Sequence, residues 1–168
     1  LPDNTVRFYT ARAEMGQGVT TGLATLLGEE LDVNPLDMDV RLASAHEDYN
    51  NPLFGMQGTG GSSSTRAHFL PMRQAGANTR MILQAAASDL GAEITTLSTD
   101  NGHVLHAGQR YPYADFIESA SLLTIAADAP LKPADEFQYI GRESRRVDAI
   151  AKSTGTADFG LDIDIPDL

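Results

Sequence analysis

The sequence predicts an α+β domain: a small mixed or antiparallel sheet packed with two or three helices, followed by an extended C-terminal arm. Three observations predict it. Residues 5–43 carry a strand–helix–strand pattern within the length such a unit needs. A second long apolar-periodic run follows a glycine-rich loop. An Asn-Gly pair then separates two β-prone runs. The chain has 168 residues, 42% of them apolar, which suits one domain, or one domain plus an arm, with a real core.

The elements follow in order. Residues 5–13 alternate, with Val6, Phe8, Tyr9 and Ala11 favouring a strand. A tight turn, Glu14-Met15-Gly16-Gln17-Gly18, comes next. Over residues 19–31, Val19, Leu23, Leu26, Leu27 and Leu31 fall on one face of a helix. Asn34-Pro35 ends it, because a residue before proline avoids helical geometry. Residues 38–43 alternate again as a second strand. Residues 46–64 form a long loop rich in Asn, Gly and Ser, and loops of that length inside compact domains are functional or disordered.

Residues 67–90 predict a second helix with Leu70, Ala77, Met81, Leu83, Ala85, Ala86 and Leu90 as its stripe. Pro71 then belongs in the first turn or at a kink, and Gly91 is the terminator. Residues 94–98 and 103–106 flank Asp100-Asn101-Gly102, a hairpin signal. Residues 113–123 predict a short helix. Residues 128–146 are rich in proline and charge and read as a linker, so the division is 1–127, 128–146 and 147–168. The last of these opens a new element, with a strand starting over residues 157–164.

The net charge of −11 makes the surface strongly acidic. Such a surface repels phosphate backbones and anionic lipid, which argues against nucleic-acid or membrane binding by bulk charge. There are no cysteines, so disulfides, iron–sulfur ligation and thiolate nucleophiles are excluded within this segment. No apolar run approaches the roughly 20 residues of a membrane helix. The start at Leu1-Pro2-Asp3-Asn4, without an initiator Met or a basic signal region, reads as an excised or processed piece. Most of the many acids are expected to be solvated surface. Histidines 46, 68, 103 and 106 show no zinc spacing and read as surface residues.

Two loops can carry chemistry. In the first, Gly16, Gln17 and Gly18 lie between a strand and a helix. Glycines there let backbone amides approach a ligand, and the helix points its positive end at the same place. A plain strand-to-helix turn is the alternative. The second loop runs Gly55-Met56-Gln57-Gly58-Thr59 and then Gly60, Gly61, Ser62, Ser63, Ser64 and Thr65, closing on Arg66. Its amides and hydroxyls can wrap a pyrophosphate. Alternatively Ser64 or Thr65 caps the helix, or the loop is a connector. Gly61 stands where a nucleotide-triphosphatase loop needs lysine, and no strand ends directly into the loop as a Rossmann fingerprint requires.

Both loops, in this order, resemble those of the large subunit of the xanthine dehydrogenase and aldehyde oxidase family. Residues 12–18 look like its first cofactor loop and residues 59–66 like its later glycine–serine loop. Arg145-Arg146-Val147-Asp148, with Lys152 and the Thr154-Gly155-Thr156-Ala157 run, resembles a third signature. Here that signature follows the loops, which is the order of the branch containing the large (β) chain of isoquinoline 1-oxidoreductase. Leu131-Lys132-Pro133 and Tyr139-Ile140-Gly141-Arg142 fit that branch too.

The resemblance implies a molybdopterin-binding-domain-like fold. It implies a molybdenum cofactor, molybdopterin cytosine dinucleotide, in a parent enzyme that hydroxylates N-heterocycles or oxidises aldehydes. The cofactor-binding residues it carries over are Gly16, Gln17, Gly18 and residues 60–65. It places the catalytic glutamate outside this segment, so no catalytic residue is expected here. No protein ligand to the metal is expected either. Expected partners are the remainder of the large subunit, a 2Fe-2S small subunit and a cytochrome c, with periplasmic or cytoplasmic location left open. Alone, the chain is expected to bind the cofactor weakly or not at all, and its exposed apolar surface would allow a homodimer. A stand-alone phosphate- or nucleotide-binding module and a structural domain without ligand are the alternatives.

Overall fold

Alternation at the start of the chain becomes strand β1, Arg7–Thr10, with Phe8 and Thr10 turned inward. The computed structural model describes residues 1–124, 128–162 and 164. After the first loop, α1 forms over Val19–Leu31 and buries Val19, Leu23, Ala24, Leu26 and Leu31. It stops at Asp32, which takes the left-handed conformation with its N–H bonded to the Gly28 carbonyl. Asn34 then caps a 3-10 turn, Pro35–Asp37, and leads into β2, Asp39–Leu42. β2 pairs parallel to β1, Phe8 opposite Val40 and Thr10 opposite Leu42. The predicted strand–helix–strand unit is therefore formed.

The second helix, α2, runs Ser64–Ala86 and is continued by a 3-10 turn, Ala87–Leu90. It starts three residues earlier than expected, so Pro71 lies well inside it rather than in its first turn. Pro71 is exposed, where a carbonyl deprived of its N–H partner can turn to water. The apolar stripe is narrower than the sequence predicts: Ala77, Leu83 and Ala86 are buried, while Leu70 is 60% and Met81 38% exposed. α2 lies across α1 at close range because Gly76 has no side chain. A Cβ there would meet the Leu27 carbonyl at 2.5 Å and the Glu30 Cβ at 2.9 Å.

The remaining strands are β3, Ser98–Asp100; β4, His103–His106; and β5, Gln109–Pro112. They form an antiparallel meander in the order β3-β4-β5, separate from the β1-β2 pair. The Asn-Gly hairpin is present, with positive φ at Asn101 (41°) and Gly102 (73°). The α+β class holds, with the sheet divided in two. The hairpin finds its third strand in the next residues of the chain, so it has no need of the β2 edge. Residues 94–96 form a 3-10 turn instead of strand, and the strand starts at Ser98. The helix expected over residues 113–123 is a 3-10 turn, Tyr113–Phe116, and then α3, Ile117–Ser121. The core lies among α1, α2 and the meander, with Leu23, Ala24, Leu83, Val104 and Phe116 at its centre.

The irregular stretch 128–146 lies along α1. The Glu29 carboxylate accepts the backbone N–H groups of Gln138, Tyr139 and Ile140 at 2.8–3.1 Å. Glu30 accepts the Lys132 N–H at 3.0 Å and pairs with Arg73 at 2.6 Å. Arg73 itself sits between the rings of Phe69 and Phe137. Glu29 and Glu30 are fully buried and Asp32 nearly so, three exceptions to the expectation that most acids are solvated surface. They escape the cost of burying charge because the arm supplies amides and cations. A short helix, α4, Ala149–Thr154, follows. The strand expected over residues 157–164 is not formed across residues 157–162, which run irregularly and then as a turn over 160–162. Residue 163 and residues 165–168 lie outside the described residues.

Candidate functional site

The first loop is stitched together by its own side chains. Gly16 and Gly18 both take positive φ, 97° and 80°, which only glycine adopts without strain. The Glu14 carboxylate folds back beneath them and accepts the N–H groups of Gly16 at 2.8 Å, Gly18 at 2.9 Å and Thr20 at 3.1 Å. Burial would raise its pKa, but these three amides and Arg146 outweigh that and hold it below the ordinary range. The anion at the N-terminus of α1 is thus the protein's own Glu14. Gln17 spans the loop: its amide donates to the Ala13 carbonyl at 2.9 Å, and its oxygen accepts the Met15 N–H. Gly16 and Gln17 are exposed, and Gly18 is half-buried.

The second loop is built differently. Asn51 is fully buried, closes the turn 51–56 and donates to the Ser63 hydroxyl at 2.8 Å. That hydroxyl donates in turn to the Gly60 carbonyl at 2.7 Å. Ser63 is the residue before α2, yet neither its hydroxyl nor any other side chain among the described residues caps the helix. The hydroxyl that could have done so is committed to shaping the loop. The first turn of α2, beginning at Ser64 and Thr65, therefore presents uncapped N–H groups, the condition in which a helix end accepts an outside anion. Gly60, Gly61, Ser62 and Thr65 are exposed around it, and Ser64 is half-buried. A Cβ at Gly58 or Gly60 would meet nothing within 4 Å.

The two loops share a wall. The Ala13 N–H donates to the Thr59 hydroxyl at 2.9 Å. Arg12, fully buried, donates to the Gly58 carbonyl at 3.0 Å and to His68 Nε2 at 3.0 Å. Since an arginine only donates, His68 accepts there and carries its proton on Nδ1, which donates to the Ser64 carbonyl. Burial, then the neighbouring Arg12, pushes the His68 pKa down. Gln17 and the serine loop are thus linked through Ala13 and Thr59, on one side of the molecule.

Of the nine residues singled out from sequence, eight carry exposed or half-exposed groups around this wall, and Ser63 supports it from inside. The sequence reading missed Glu14 as the internal anion. It missed Arg12 and His68 as the strut, having placed His68 at the surface. It also missed Arg146, whose guanidinium bonds Glu14 and Gly16 from the far end of the chain. A signal for His68 exists: four residues after Ser64 it returns to the same helix face. Among the described residues, no group of three His, Asp or Glu is placed to hold a metal ion, and no helix is long and apolar enough to cross a membrane.

The family model for the molybdopterin cofactor-binding domain matches residues 1–159. A nicotinate dehydrogenase subunit from Pseudomonas putida is 30% identical over 169 residues, covering 99% of this chain and 14% of that protein. A membrane-bound aldehyde dehydrogenase of Gluconacetobacter polyoxogenes, named for pyrroloquinoline quinone, is 30% identical over 96% of this chain and 21% of its own length. The beta chain of isoquinoline 1-oxidoreductase from Brevundimonas diminuta is 28% identical over 99% of this chain and 26% of its own. The chain thus spans between 14 and 26% of the lengths of these relatives. The crystal structure of quinoline 2-oxidoreductase from Pseudomonas putida 86 matches with a TM-score of 0.50 at 21% identity, covering 73% of this chain and 15% of that chain, a likeness of fold.

Proposed function

The chain belongs to the molybdopterin cofactor-binding domain family, and from that premise we propose that it walls the dinucleotide end of the cofactor in a larger oxidoreductase acting on N-heterocycles or aldehydes. The observation that carries this reading is the contrast between the two helix ends. The N-terminus of α1 is filled by Glu14, whereas that of α2 has no side-chain cap among the described residues and opens among glycines. The residues present fit a phosphate-bearing group, because uncapped amides and exposed hydroxyls want an anionic acceptor.

The amides and hydroxyls of residues 60–62, 64 and 65 would meet the pyrophosphate. Ser63 and Asn51 would hold that loop in shape. Gln17, flanked by Gly16 and Gly18, would offer its remaining amide hydrogen and oxygen lone pair to the organic part. The bound cofactor supplies the oxidation chemistry, and the protein supplies orientation and hydrogen bonds. The cytosine dinucleotide form, an iron–sulfur small subunit, a cytochrome c and a periplasmic location belong to this proposal through the sequence resemblance. So does the assignment of the proton-abstracting base to another part of the parent chain.

The test places a like charge at the proposed anion site of the complete enzyme. Gly61 has φ +60° and little around it, so Gly61→Asp alters the charge with little crowding. Gly91, with φ +74° and no neighbour within 4 Å, stands beyond the other end of α2 and serves as the matched control. The affinity for the cofactor is expected to fall at least about tenfold in Gly61→Asp, since one unfavourable charge contact of about 1.4 kcal/mol suffices. Molybdenum per enzyme molecule after exhaustive dialysis, measured by plasma mass spectrometry, then drops in Gly61→Asp and stays at the native level in Gly91→Asp. Full molybdenum in Gly61→Asp defeats the reading.

A further inference from the structure

Arg146 stands 130 residues from the first loop in sequence and directly behind it in space. It uses its fork on two sides. Nε donates to Asp148 Oδ1 and Nη2 to Asp148 Oδ2, both at 2.8 Å, so the carboxylate holds the guanidinium plane by two points. The outer edge faces the loop: Nη1 donates to the Gly16 carbonyl at 2.9 Å and Nη2 to the Glu14 carboxylate at 3.0 Å. Lys152 pairs with the same Asp148 at 2.6 Å. The Val147 N–H donates to the Thr21 hydroxyl at 3.1 Å, fixing this stretch to the first turn of α1. Beside it opens a cleft of about 310 Å³ lined by Arg12, Glu14, Thr20, Asp148, Lys152 and Phe159.

The loop needs this support. Two of its residues have left-handed glycine geometry, and its internal anion would be half-buried without a cation if Arg146 were absent. Gln17 sits between those two glycines, so whatever fixes Gly16 fixes where Gln17 can reach. We propose that Arg146 is a positioning residue for the cofactor, setting Gln17 through the Gly16 carbonyl and the Glu14 carboxylate. This rests on the cofactor reading above. A lysine in its place keeps the charge but cannot meet Gly16, Glu14 and two oxygens of Asp148 at once.

The experiment uses the complete enzyme and the rate at which it sheds molybdenum on dialysis, with thermal unfolding followed in parallel. Arg146→Lys is expected to shed about tenfold faster, the scale of losing an outer supporting contact. Arg145→Lys, at the exposed neighbouring position, is the control and is expected to shed at the native rate. Because Arg146 acts through Gln17, adding Arg146→Lys to Gln17→Ala is expected to change little beyond Gln17→Ala alone, which a merely structural arginine would not produce. Native retention in Arg146→Lys, or losses that multiply in the double variant, overturn the proposal and leave the cofactor reading standing. A native enzyme without molybdenum overturns both.

Discussion

A buried guanidinium is costly unless every N–H finds an acceptor, and Arg12 meets carbonyls and an imidazole but no carboxylate among the described residues. Its Nε finds no partner there either. His68 can serve it only while neutral, which gives a pH prediction. The unfolded chain takes up a proton near the ordinary histidine value of 6.5, and the folded chain only at lower pH. Stability from this pair is therefore complete above 6.5 and is lost as pH falls from there through the lower folded value. His68→Gln, whose amide can accept from Arg12 and donate to Ser64, is expected to show a flatter dependence between about pH 7 and 5 in thermal unfolding; an equally steep slope counts against the strut. Gly16, Gly18, Gly55 and Gly61 were legible because their positive φ leaves few alternatives to glycine. Glu14 and Ser63 were not, since a carboxylate or hydroxyl near free amides reads the same whether it fills the site or borders it.

Helices and strands were legible where apolar spacing marks the packed face. In α1 four of the five predicted stripe residues, Val19, Leu23, Leu26 and Leu31, are buried, while the burial of Glu29 and Glu30 on its other side comes from the arm and leaves no trace in that spacing. α2 was harder because it meets α1 through a glycine and alanines, and small residues carry no hydrophobic signal. That packing gives opposite expectations for two glycine substitutions. Gly76→Ala would drive a Cβ to 2.5 Å from the Leu27 carbonyl, and overpacking of this kind costs about 1–3 kcal/mol. Gly22 lies in α1 with nothing within 4 Å of an added Cβ, so Gly22→Ala is expected to stabilise by about 0.5–1 kcal/mol through helix propensity. Denaturant unfolding of both variants checks the pair, and equal signs would refute the packing described. The division of the strands into two sheets was illegible because pairing partners, unlike strand propensity, are not local.

At the scale of the whole molecule, the arm is held by backbone amides gathered around one carboxylate, a contact that leaves no mark on the residue types of the arm. Proline and charge in residues 128–146 read as a linker, and the amides of Gln138, Tyr139 and Ile140 make it a docked one. Glu29→Gln replaces an acceptor oxygen with a donor facing those amides, an error worth about 1–3 kcal/mol in a buried place. Limited proteolysis is expected to cut within the arm faster in Glu29→Gln than in the native protein. Equal cleavage would mean the latch does not hold the arm. The same latch orders events during synthesis. The amides that Glu29 grips lie 109–111 residues downstream of it, and a ribosome adding about 5–20 residues per second needs roughly 5–20 s to deliver them. Through that interval Glu29 lacks the three amides that later hold it, whereas Glu30 meets Arg73 after 43 residues, so the nascent chain can settle the end of α1 only provisionally until residues 138–140 have emerged.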